Sequence, residues 1–240
     1  MQTMNLFCFP FAGGSKYSYA VLVKKAPSGL TLLPLDLPGR GTRSKEALLT
    51  DIRSMADDLF EQIKENLATP YALYGHSMGA LLSYLVTQKI AKAGLNGPLF
   101  LFLTGCGSPA TAFPGNEKRY LLPKKAFIEH LKSFGGSPDQ IFEDDTLLSY
   151  FEPILRADFQ AVDTYKHQFS DTLLHVPVTV ITGTDEFVTP EEALAWRAET
   201  TGEFACHRFP GGHFFIYDAM DRVLKMLGEQ AQKYSAIGIV

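Results

Sequence analysis

Short apolar runs alternate along this chain with longer stretches in which apolar residues recur every three or four positions. The runs at 6–9, 30–35, 71–74, 99–104 and 178–182 have the length of strands, and a last one spans 204–209. Their alternation with helix-length segments predicts an α/β fold with a mostly parallel, buried sheet. In one intervening segment Ile52, Met55, Ala56, Leu59, Phe60 and Ile63 make a single apolar stripe, and Asp51 is placed to cap that helix.

The alternation breaks after 99–104, where about 70 residues pass before the next strand-like run, far more than an ordinary connection needs. Within that gap 123–134 and 146–169 read as helices rich in aromatic residues: Phe127, Phe134, Tyr150, Phe151, Phe159, Tyr165 and Phe169. Helices inserted beyond the carboxyl end of a strand can cover a site there. Clusters of proline and glycine bracket elements rather than separate domains, and no repeat is present. The expectation is one domain over 1–240, with a lid inserted at about 109–170.

Composition narrows the function. A chain of 240 residues that is 46% hydrophobic can bury a large core. With 26 acidic against 22 basic side chains it carries no basic footprint for a polyanion, which argues against a nucleic-acid partner. Cys8, Cys106 and Cys206 are too few and too scattered for a disulfide framework or a structural zinc site, and they suit a reducing compartment. The amino terminus lacks the pattern of an export leader, and no run of 18 apolar residues occurs. The reading is a cytoplasmic protein with no membrane partner.

The chemistry gathers around Gly75-His-Ser-Met-Gly79, which matches G-x-S-x-G with a strand-like run before it and a helical one after it. A tight strand-to-helix turn crowds the backbone two residues either side of the nucleophile, and glycine has no Cβ to clash. Ser77 is therefore the candidate nucleophile. A serine hydroxyl needs an adjacent base, and that base needs a carboxylate to fix its tautomer. Of six histidines, His213 follows the last strand-like run and a glycine pair, where a loop can return imidazole to the sheet's carboxyl edge. His76 adjoins Ser77 but on a sharp turn points elsewhere. Asp185, just past the run at 178–182, supplies the carboxylate and gives the order Ser, Asp, His, with Glu186 as the nearest rival. For an oxyanion hole, the Met78 amide follows the nucleophile, and the apolar, glycine-rich loop at 9–14 offers Ala12, with Phe11 the alternative.

With these residues in place, the chain resembles the type II, external editing thioesterases of non-ribosomal peptide and polyketide synthases. The similarity spans nearly the whole chain through Leu6-Phe-Cys-Phe-Pro-Phe-Ala-Gly-Gly14, Leu37-Pro-Gly-Arg-Gly-Thr-Arg43, Tyr74-Gly-His-Ser-Met-Gly79, Gly183-Thr-Asp185 and Gly211-Gly-His213. The resemblance implies an α/β-hydrolase fold with a helical lid and catalytic roles for Ser77, Asp185 and His213. It implies a substrate held as an acyl or aminoacyl thioester on the phosphopantetheine arm of a carrier protein, hydrolysed to clear mis-primed carriers by a monomer that needs no metal or bound cofactor.

Two basic features remain. Lys118, Arg119, Lys124, Lys125 and Lys132 gather in the first part of the insertion, where they are either a solvated face or a surface that steers an acidic carrier. Arg40 and Arg43 could bind a substrate phosphate, but pairing with lid or core carboxylates is the favoured reading. A carboxylesterase or lipase-like enzyme would use the same machinery on oxygen esters. A non-catalytic α/β-hydrolase module that binds a ligand or partner is the reading from another class, and the set of Ser77, Asp185 and His213 speaks against it.

Overall fold

A computed structural model describes residues 3–111, 118–135, 142–167 and 173–237. Six strands form one sheet: β1 Met4–Phe9, β2 Leu30–Pro34, β3 Tyr71–His76, β4 Leu101–Thr104, β5 Val178–Gly183 and β6 Phe204–Phe209. The strand order is β2-β1-β3-β4-β5-β6, and every pairing is parallel. All strand carboxyl ends therefore lie along one edge, so segments distant in sequence emerge side by side there.

The helices cover both faces. The α-helices that lie wholly within the described residues are, in chain order, α1 Ala20–Lys24, α2 Ile52–Ile63, α3 Met78–Lys92, α4 Lys124–Phe134, α5 Asp145–Asp163, α6 Pro190–Leu194, α7 Phe215–Asp218 and α8 Met220–Ile237. Side chains of successive strand residues leave on opposite faces. Phe7, Phe9, Tyr71, Leu73, Leu101 and Leu103 accordingly pack into the core shared with α2 and α3. Leu6, Cys8, Ala72, Tyr74 and Phe102 join a second core with Leu22 of α1 and Val223 and Leu227 of α8. Burial on both faces is the reason these strands read as continuous apolar runs.

The segment between β4 and β5 holds α4 and α5. Phe127 and Leu131 of α4 and Phe159 of α5 form a small cluster of their own that reaches Ala12, which follows β1. The inserted helices thus rest over the carboxyl edge of the sheet. The α4 expectation is met, with Pro123 at its amino-terminal boundary. The helix expected over 146–169 ends instead at Asp163, where the Thr164 amide closes on the Gln160 carbonyl at 3.0 Å and Tyr165 turns into the core. Phe169 lies outside the described residues. Likewise β4 begins at Leu101 rather than at 99. Among the described residues no helix is long and apolar enough to cross a membrane.

The expected cap of α2 is present: the Asp51 carboxylate accepts the Ser54 amide at 2.8 Å and its hydroxyl at 2.9 Å. Losing an Asp cap costs about 1 kcal/mol, which in a domain of this size lowers the melting temperature by roughly 2–4 °C. Asp51→Ala is expected to show that drop in a thermal melt while hydrolytic activity at 25 °C stays unchanged.

Candidate active site

The end of β3 and the start of α3 form the turn that sets everything else. Ser77 sits between them at φ +55° and ψ −119°, and no other non-glycine residue among those described has a positive φ. Such a conformation costs about 1–3 kcal/mol and persists only where the surroundings over-determine it. They do so here: the Ser77 amide donates to the Thr104 carbonyl at 2.8 Å, and the Ala80 amide donates to the Ser77 carbonyl at 2.9 Å. The flanking glycines are required by space. A Cβ on Gly75 would lie 2.0 Å from the Gly79 carbonyl oxygen, and one on Gly79 would lie 2.4 Å from that of Phe9.

The turn presents the Ser77 hydroxyl to His213, whose Nε2 lies 3.0 Å from Oγ. On the other side of the ring, Nδ1 lies 2.7 Å from Oε2 of Glu186. A carboxylate can only accept, so Nδ1 carries the proton and donates it to Glu186, which leaves Nε2 to accept from the Ser77 hydroxyl. The second oxygen of Glu186 accepts the Gly183 amide at 2.5 Å, so both oxygens of this fully buried side chain are satisfied. His213 itself is nearly buried, and its ring packs against those of Phe134 of α4, Phe187 and Phe214.

The carboxylate is where the structure departs from the sequence reading. Asp185 is the partner of His213 expected from the sequence, but its side chain is exposed and, among the described residues, accepts only the Thr184 hydroxyl, at 3.1 Å. Its amide donates to the Gly211 carbonyl at 3.0 Å, which uses Asp185 as a backbone link between the β5 loop and the histidine loop. Asp185 is exposed at the edge of the cavity that Ser77 and His213 also line, and it is the next residue whose side chain is buried against the imidazole. The extra methylene of Glu186 then lets its carboxylate fold back onto the amide at the end of β5 and still reach the imidazole. The signal in the sequence was the second acidic residue itself, since the triad order admits Asp or Glu.

His76 follows its own course, as a residue beside a sharp turn should. Its Nδ1 pairs with the Thr104 hydroxyl at 3.0 Å, and Nε2 is buried without a partner among the described residues. Its ring lies behind His213, with centroids 4.8 Å apart, and against Phe11 and Phe214. Burial, and then the neighbouring His213, hold its pKa well below the ordinary histidine value. His76 is therefore a neutral wall behind the His213 imidazole.

Ser77 opens into a cavity of about 740 Å³, walled by Met78, Phe134, Leu155, Phe159 and Val162 with Phe11 and Ala12 at one side. Met78 is the first residue of α3, so its amide has no acceptor inside the helix. Ala12 occupies a tight turn, closed by the Gly14 amide donating to the Phe11 carbonyl at 2.8 Å, and its own amide has no acceptor among the described residues. Phe11 shares that property, so both candidates for the second amide remain in place at the cavity wall. Cys106 also lines the cavity, but burial pushes its thiol far up, so it stays protonated and poorly nucleophilic.

Both loop arginines take the structural role expected of them. Arg40 is buried and makes a bidentate ion pair with Asp158 of α5, while Arg43 pairs with Glu46 and Asp58. Of the basic cluster in the insertion, Arg119 is paired with the buried Asp163. Lys124, Lys125 and Lys132 are exposed and flank a shallow groove on α4 with Ile128 and Glu129.

Comparison with known proteins agrees with this architecture. The thioesterase domain family matches residues 4–231. The gramicidin S biosynthesis protein GrsT of Aneurinibacillus migulanus is 32% identical over 228 residues, covering 95% of this chain and 88% of the relative. Among solved structures, the type II thioesterase BorB from the borrelidin biosynthetic cluster is 31% identical with a TM-score of 0.87, covering 95% of this chain and 93% of that one. ClbQ from the colibactin NRPS/PKS pathway is 28% identical with a TM-score of 0.92, covering 99% of this chain and 100% of that one. The chain belongs to the thioesterase domain family and is a thioester hydrolase built on the α/β-hydrolase fold.

Proposed function

We propose that this enzyme clears acyl or aminoacyl groups from the phosphopantetheine arm of carrier proteins in non-ribosomal peptide or polyketide synthesis, with Ser77, His213 and Glu186 as its catalytic residues. The observation that carries the reading is the continuous bridge from hydroxyl through imidazole to carboxylate, at 3.0 and 2.7 Å, in the wall of one apolar cavity. All of these groups come from one chain, which supports action as a monomer. Three free cysteines support a cytoplasmic setting. The helices between β4 and β5 act as the lid of a single domain over 1–240.

In the reaction, Ser77 Oγ attacks the thioester carbonyl carbon as its proton passes to His213 Nε2. The imidazolium that forms is stabilised by Glu186. The carbonyl oxygen becomes an oxyanion and accepts from the amides of Met78 and Ala12. Collapse of the tetrahedral intermediate breaks the carbon–sulfur bond, and the departing pantetheine sulfur takes up the proton from His213. A thiol with a pKa near about 8.5 leaves far more readily than an amine, so little acid assistance is needed. Water then gives a proton to His213, attacks the acyl-serine, and releases the carboxylic acid with Ser77 restored.

The carrier would meet the lid. Carriers of this type tend to be acidic, and Lys124, Lys125 and Lys132 present an exposed basic face on α4, next to the helix face whose Phe127 and Leu131 pack toward the cavity.

On a carrier-bound acyl thioester followed by mass spectrometry, the wild-type protein is expected to return free carrier and acid, and Ser77→Ala to return neither. Glu186→Gln is expected to lower kcat by about 10³- to 10⁴-fold, the loss seen when a triad histidine is left with the wrong tautomer. Asp185→Asn should stay within about threefold of the wild type, a change that surface substitutions commonly produce. A loss that follows Asp185 instead contradicts the assignment.

Reversal of charge in Lys124→Glu/Lys125→Glu is expected to raise KM for the carrier-bound substrate by about tenfold at low ionic strength and to leave a small free thioester unaffected. Steady-state kinetics on the two substrates decide it, since equal effects on both would remove α4 from carrier recognition.

A further inference from the structure

The loop Leu37-Pro-Gly-Arg-Gly-Thr-Arg43 contributes nothing that touches the reacting atoms, yet it drives a guanidinium into the interior. Arg40 is 2% exposed, and its Nη1 and Nη2 donate to Oδ2 and Oδ1 of Asp158 at 2.5 and 2.7 Å. Asp158 is completely buried in the carboxyl-terminal half of α5. A charged pair sealed this thoroughly is poor evidence of a contribution to stability, because desolvation offsets much of the attraction. Its geometry suggests another use. Asp158 Oδ2 also accepts the amide of Gly13, at 2.7 Å.

Gly13 is the third residue of the turn closed by the Gly14 amide on the Phe11 carbonyl. Its φ of +77° marks a type II turn, and its amide belongs to the central peptide that distinguishes this turn from type I. An acceptor on that amide holds the central peptide in one sense. Leu155, one helical turn before Asp158, closes the other side: a Cβ on Gly13 would lie 2.6 Å from Leu155 Cδ2. The turn that carries the free amides of Phe11 and Ala12 is thus gripped by α5 through one hydrogen bond and one steric stop.

We infer that Asp158 is a positioning residue for the oxyanion site. Paired with Arg40, which makes a buried carboxylate tolerable, it fixes the Phe11–Gly14 turn so that the Ala12 amide faces the carbonyl oxygen of a thioester above Ser77. This rests on the proposed role of Ala12. The part of α5 around Asp158 then belongs to the catalytic frame rather than to a freely moving lid. The proline-glycine-arginine loop serves the reaction at one remove.

Two double variants separate this role from a structural one. Arg40→Met/Asp158→Asn and Arg40→Met/Asp158→Leu both remove the ion pair without stranding a buried charge. Only the first keeps an oxygen for the Gly13 amide. With a small free acyl thioester, the Leu variant is expected to show kcat about 10- to 100-fold below the Asn variant, with KM alike within about twofold and equal or higher thermal stability. Equal kcat in the two folded variants, or a difference confined to KM, overturns the inference. Wild-type hydrolysis of the same thioester, lost in Ser77→Ala, reports separately on the proposed function. If either double variant does not fold, amide exchange in the wild-type protein decides. The Gly13 amide should be strongly protected, and exchange at the rate of an exposed loop overturns the inference equally.

Discussion

The Nδ1 proton of His213 has one place to go, because the carboxylate it faces can only accept, and that constraint orders the rest of the site. With Nδ1 committed to Glu186, the lone pair on Nε2 is turned to the Ser77 hydroxyl at 3.0 Å, the arrangement that the proposed role of Ser77 requires. Three loops from three strand ends must bring these atoms within hydrogen-bond reach. The all-parallel sheet makes this feasible by placing the ends of β3, β5 and β6 along one edge. The hydrogen bond from the Asp185 amide to the Gly211 carbonyl then ties the loop after β5 to the loop that carries His213.

Local strain and a buried carboxylate are concentrated around the Ser77–His213–Glu186 bridge. Ser77 holds a backbone conformation that its side chain disfavours, and Glu186 buries a carboxylate completely. Both are sustained by bonds to backbone groups at strand ends: the Thr104 carbonyl for Ser77 and the Gly183 amide for Glu186. The rings of Phe134, Phe187 and Phe214 pack around His213, whose burial lowers the local dielectric and strengthens the electrostatic contacts of the bridge. The inserted helices contribute to this enclosure from above, through Phe134, and to the turn beside it, through Asp158 and Leu155.

Much of this was legible along the chain, for reasons of period and sterics. Strands buried on both faces must be apolar throughout, so β1, β3 and β5 stood out at once. The strand-to-helix turn at Ser77 declared itself because glycine two residues either side of a serine has a specific steric cause, borne out by the contacts a Cβ would make at Gly75 and Gly79. Topology led to the expectation that serine, acid and histidine come in that order along the chain, and the structure brings Ser77, an acid of the loop after β5, and His213 together. The choice between two adjacent acids did not follow from topology, since it depends on which way the chain leaves Gly183, and a one-residue difference reverses the side chain's direction. The Asp158 contacts were hidden for a different reason: they join positions 145 and 118 apart in sequence, to Gly13 and Arg40, and no local pattern encodes such a pairing. The end of α5 was overrun because apolar residues continue past Asp163 into a segment that packs without being helical, as Tyr165 does.

The central claim is that the histidine beside Ser77 is held by Glu186 and not by Asp185. Proton magnetic resonance of the imidazole Nδ1–H tests it without reference to turnover. A strongly hydrogen-bonded, slowly exchanging Nδ1 proton should be present in the wild-type protein, persist in Asp185→Asn, and be lost or shifted far upfield in Glu186→Gln. A resonance that survives in Glu186→Gln and disappears in Asp185→Asn would contradict the account.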